Sequence, residues 1–82
     1  MAISATEFLK RFKQIKGYLD ANADANAELR ERFQAMAGSF KAAYSAEEFK
    51  QALSEDAVVP SDLEERLTSV TVLLNRDRAS RG

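Results

Sequence analysis

The stretch FLKRFKQIKGYLDANADANAELRERFQAMAGSF, residues 8–40, decides the fold. Its large apolar residues Phe8, Phe12, Ile15 and Leu19, then Leu29, Phe33, Met36 and Phe40, follow in alternating steps of four and three, the spacing of an apolar seam along a helix. Asn22 and Asn26 hold the two positions that would make the seam continuous. Read straight through, residues 5–42 form one helix about 57 Å long, whereas a folded chain of 82 residues has a radius of gyration of about 12 Å. Such a helix cannot cover its seam within one chain and implies an elongated coiled-coil oligomer, with the two Asn setting its register. Read with a turn near 20–26, the same residues form an antiparallel hairpin whose halves cover each other. Asp and Asn alternate with Ala there, and their side chains compete for nearby backbone groups. The hairpin is therefore the expected arrangement.

Outward from this stretch, three segments carry the capping-box pattern: Ser4-Ala5-Thr6-Glu7, Ser45-Ala46-Glu47-Glu48 and Ser61-Asp62-Leu63-Glu64. Ile3 with Phe8 and Tyr44 with Phe49 stand at hydrophobic-staple positions, and Pro60 precedes the third cap. The spacing predicts an all-α bundle of three main helices at about 5–20, 27–44 and 62–77, plus a short one at about 46–54. Leu63, Leu67, Val70 and Leu74 supply the inner face of the last helix. Helix 2 is expected to turn Arg30 outward and, through Ala35, Ala37, Gly38, Ala42 and Ala43, to allow a close helix crossing. Val58 and Val59 are expected to seal one end of the core. Residues 1–82 read as a single domain, with a tail at 78–82 expected to fray.

Apolar residues make up 45% of the chain and charged residues 30%, the balance of a folded protein. At this length one core supplies only about 3–5 kcal/mol, so a partner or a second copy is expected. No Cys and no His are present, which removes thiolate chemistry, the usual zinc ligands and the usual general base. The pairs Glu47/Glu48, Glu55/Asp56 and Glu64/Glu65 read as first-turn and surface acids rather than an acid–base pair, and Ser39 and Lys41 are too far round a helix to meet. The three Gly, at 17, 38 and 82, are isolated and form no phosphate-cradling loop. No enzyme activity, cofactor or metal is expected. The chain shows neither the pattern of a signal peptide nor an apolar run of membrane-span length, so a cytoplasmic protein without membrane contact is expected.

Charge is unevenly spread: +3 over residues 1–19, −6 over 20–64 and +2 over 65–82, for a net −1. The ends are expected to fold onto the acidic middle. Lys10, Arg11, Lys13 and Lys16 form the candidate binding face, suited to a phosphate backbone if nucleic acid is the ligand. Against nucleic acid stand the net acidity and the lack of an Arg- and Asn-rich recognition helix. No motif points to a known family. The expected function is non-catalytic protein–protein binding, as an adaptor, assembly factor or inhibitor, with a nucleic-acid-associated regulator as the alternative.

Overall fold

Three of the helix starts in this chain are set by side chains that take up first-turn N–H groups. In the computed structural model, which describes residues 2–81, α1 (Ala5–Ala21) starts at Ser4, whose hydroxyl accepts from the Glu7 N–H at 3.2 Å. The return half of that capping box is not made, because the Glu7 carboxylate accepts from Arg11 instead, at 2.8 Å. α2 (Ala27–Ala43) starts at Asn26, which accepts from the Glu28 N–H at 2.8 Å. α3 (Ala46–Glu55) has the complete box between Ser45 and Glu48. The third expected box is not formed. α4 (Ser61–Arg81) begins on the Pro60 carbonyl, which accepts from Leu63 and Glu64 N–H groups, so Ser61 lies inside the first turn. α4 also continues four residues past the end expected from its apolar spacing.

The chain turns where the seam loses its apolar residues. Asn22 closes α1 by donating both its backbone N–H and its side-chain amide to the Tyr18 carbonyl, at 3.0 and 2.8 Å. Ala25 is buried under the turn and Asn26 opens α2. The two asparagines are thus the caps of consecutive helices. Arg30, expected to point outward, reaches back instead and donates to the Leu19 and Asn22 carbonyls at 3.1 and 2.7 Å. Those carbonyls are the negative, unsatisfied end of α1, which draws the guanidinium in. The longest dimension of the molecule is 38 Å, so the continuous helix of an elongated coiled coil is not formed.

α1 and α2 run antiparallel and meet through rings: Phe8 with Phe40, and Phe12 with both Phe33 and Phe40. Their backbones stand apart, while α4 lies close against α2 and also packs on α1. The core comprises Phe8, Ile15 and Leu19 of α1, Leu29 and Met36 of α2, and Leu63, Leu67, Val70 and Leu74 of α4. Of the small residues expected to allow a close crossing, Ala35, Gly38, Ala42 and Ala43 are exposed and take no part in the approach of α4, and a side chain added at Gly38 would meet nothing within 4 Å; Ala37 is half-buried.

α3 covers the end of the bundle near the start of α1. It ends in a reversal in which Asp56 is left-handed (φ 51°, ψ 43°), with its N–H on Leu53 and the Ala57 N–H on the Ala52 carbonyl. This is the Schellman arrangement, here without its usual glycine. The following residues pair with the N-terminal segment: Ala5 N–H donates to the Ala57 carbonyl at 2.7 Å and Val59 N–H to the Ile3 carbonyl at 3.0 Å. Strand alternation then buries Val59 and leaves Val58 in solvent at 58% exposure, so only one of the two valines seals the core.

Candidate functional site

The chain has five Phe and two Tyr, and every ring except that of Tyr18 joins one cluster. Phe33 stacks at an angle on Phe12 with centroids 5.0 Å apart, Phe12 on Phe40 at 5.7 Å, and Phe40 edge-on to Phe49 at 4.7 Å. Tyr44 completes the far end, 5.8 Å from Phe40 and 5.3 Å from Phe49. Phe8 is fully buried beneath them, whereas Phe12, Phe33, Phe40, Tyr44 and Phe49 are only partly covered. The physical cause is the size of the rings at the α1–α2 seam. Opposed phenyl groups hold the two helices apart, α4 fills only one side of the gap, and the ring edges reach water on the other. Aromatic side chains are enriched in the centres of protein interfaces, where they bury much area at little cost in conformational freedom.

The four basic residues proposed from the sequence are all exposed on α1, but they do not form one face. Lys10 and Arg11 border an open groove of about 570 Å³ between α1 and α4, together with Gln14, Tyr18, Asn75 and Arg78. Lys13 stands two residues from Arg11, about 200° around the helix, and so faces away from that groove. Lys16 lies one turn beyond Phe12, on the side of the aromatic stripe. Arg11 is held by Glu7 at 2.8 Å and Lys16 by Asp20 at 3.1 Å. These exposed pairs within one helix are worth little in stability, yet they offset the charge of two of the four cations.

A polar cluster ties the far end of α4 to the turn. The Tyr18 hydroxyl donates to Asp77, whose other oxygen accepts from the Asn26 N–H at 3.2 Å. Arg81 donates to Asp77 at 2.8 Å and lies 3.0 Å from Asp24. The Tyr18 hydroxyl, the Arg81 guanidinium and the Asn26 N–H hold the Asp77 carboxyl below the usual aspartate range. Loss of surrounding water, then the Asp77 carboxylate, raises the Tyr18 phenol. Among ion pairs between described residues, Arg81–Asp24 is the one that joins residues far apart in the chain; the others, Lys16–Asp20 and Arg66–Asp62 across the segment boundaries included, lie within single helices.

The stripe was missed in the sequence because each ring occupies a position that also reads as core. The signal that could have found it is volume: an antiparallel register sets Phe8 and Phe12 opposite Phe33 and Phe40, more bulk than a closely packed helix pair admits.

Comparison of the chain with protein-family models, with curated proteins and with solved structures gave no match. Among the described residues, no helix is long and apolar enough to cross a membrane.

Proposed function

We propose that the protein is a non-catalytic, cytoplasmic protein-binding module that docks a larger partner on the aromatic stripe between α1 and α2. The observation that carries this reading is the partial exposure of five contiguous rings in so small a chain. Contiguous apolar surface of this kind favours association because the rings lose their remaining water only when something covers them. The test is a photo-crosslinking amino acid placed at Phe33, with Glu65 on α4 as the control position, in living cells of the source. A discrete protein adduct from position 33 and none from position 65 is the expected result. No adduct at 33, or equal adducts at both, overturns the reading.

A second reading rests on the α1–α4 groove, where the structure adds Arg78 to Lys10 and Arg11. Here the ligand is a nucleic-acid backbone. Three cations neutralise at most about three phosphates, so the logarithm of affinity should fall against the logarithm of salt with a slope of about −3 or shallower. Retardation of duplex or single-stranded DNA or RNA at low salt, lost in Lys10→Gln/Arg78→Gln, supports it. Absence of retardation removes it.

A further inference from the structure

The stripe has a charge pattern along its flanks as well as an apolar centre. From Phe33 through Phe12 and Phe40 to Phe49 the centroids step by 5.0, 5.7 and 4.7 Å, a path that spans at most about three turns of helix at about 5.4 Å each. Helical spacing sets Lys16 one turn beyond Phe12 on α1, with Lys13 three residues before Lys16 on its outer side, about 100° round the helix from Phe12. On α2 it sets Lys41 one turn beyond Ala37, about 100° round the helix from Phe40. All three lysines are exposed. Lys16 has Asp20 at 3.1 Å, but among the described residues no carboxylate pairs with Lys13 or Lys41. On the outer flank of α2 the same spacing adds Gln34, while Arg30 in the same line is turned back onto the Leu19 and Asn22 carbonyls. At the α3 end stand Glu47 and Glu48, the latter folded onto the Ser45 N–H.

We infer that the stripe receives an acidic amphipathic α-helix of a partner protein. Its apolar side chains, spaced at i, i+4, i+7 and i+11, seat along the row from Phe33 to Phe49, and its carboxylates meet Lys13, Lys16 and Lys41. This rests on the stripe being a protein-binding surface, and it adds the chemistry of what binds.

An extended peptide fits less well, because the backbones of α1 and α2 are bonded internally and offer no sheet edge to pair with. A second copy fits less well too: two-fold pairing of this face sets the lysines of one chain against those of the other. An anionic membrane is disfavoured by shape. The rings lie between two helices, and the large apolar side chains that stand clear of the surface, Val58 at 58% and Val72 at 45% exposure, are on the connector and on α4.

The probe is a synthetic helical peptide of about 15 residues with Leu at those four positions, Glu on both flanks and Ala elsewhere. Binding is read by fluorescence anisotropy and located by amide chemical-shift changes in isotope-labelled full-length protein. The expected result is saturable binding with shifts at Phe12, Lys16, Phe33, Ala37 and Phe40, weakened at least tenfold when Lys replaces Glu in the peptide. The protein variant Lys13→Glu/Lys16→Glu/Lys41→Glu, confirmed folded by circular dichroism, should lose binding by at least tenfold as well. The proposal is overturned if the Glu peptide shows no saturable binding up to about 1 mM, if the Lys peptide binds equally, or if the triple variant binds like the parent. Co-flotation with phosphatidylglycerol vesicles, or self-association on sedimentation that Phe33→Ser abolishes, overturns it in favour of a membrane or a second copy. A protein adduct at position 33 without binding of the Glu peptide removes only the acidic-helix chemistry, whereas no adduct at 33 removes the stripe itself.

Discussion

The Tyr18 hydroxyl donates its hydrogen bond to Asp77, 59 residues further along the chain. Asp77 also takes the Asn26 N–H and Arg81, so one carboxylate joins the end of α4 to α1 and to the cap of α2. Tyr18→Phe keeps the ring and removes the hydroxyl. It is expected to lower the urea midpoint without changing the slope of the transition, since the same surface is exposed on unfolding. An unchanged midpoint would show that Asn26 and Arg81 alone satisfy Asp77.

The same carboxylate sets a pH dependence. Its folded-state pKa lies below the ordinary aspartate value, so its contribution is fully present above that value and is lost as pH falls through the lower, folded one. The difference in urea midpoint between the parent and Asp77→Asn should be constant from neutral pH down to about 5, and should shrink below about 4, where unfolded aspartate takes up its proton. A difference that stays constant to about pH 2 would mean the carboxylate charge plays no part.

The serines at the two apparent caps should behave differently. Ser45→Ala removes the acceptor for the Glu48 N–H and is expected to cost about 0.5–2 kcal/mol. Ser61→Ala should be close to neutral, because Pro60 holds the cap and alanine is well suited to a first helical turn. Urea melts of the two variants give the comparison directly.

Backbone conformation predicts two stabilising changes. A methyl group at Gly17 meets nothing within 4 Å, so Gly17→Ala should gain up to about 1 kcal/mol from the helix propensity of alanine. Asp56 is left-handed, and Asp56→Gly should gain by relieving a conformation that costs other residues about 1–2 kcal/mol. Thermal melts of the single variants and of the pair should show additive gains, since the sites are far apart in the fold.

Helix positions were legible because the apolar steps and the Ser-containing starts are local signals, and the turn because Asn22 and Asn26 interrupt the seam. What escaped depends on which helix lies opposite. Arg30 reads as a solvent-facing cation until the carbonyls of Leu19 and Asn22 stand next to it. Val58 and Val59 read as equals until pairing with the N-terminal segment gives them opposite faces. Arg11 and Lys13 read as one patch because a linear count of charges carries no information about rotation round the helix. Phe12 and Phe33 read as seam residues and meet there, but their incomplete cover follows from the position of α4, which the hairpin sequence does not contain.

The packing of α4 against two helices whose backbones stand apart has a consequence for the order of synthesis. As the chain leaves the ribosome, α1, α2 and α3 emerge with Leu29, Met36 and Ile15 still lacking the Leu63, Leu67, Val70 and Leu74 that will cover them. The nascent hairpin is therefore expected to remain open to protease, and to chaperones that bind apolar segments, until α4 is out, and then to close in one step. Released chains ending at residue 60 and at residue 81 should differ sharply in protease resistance, and a resistant chain ending at residue 60 would show that the hairpin folds without α4.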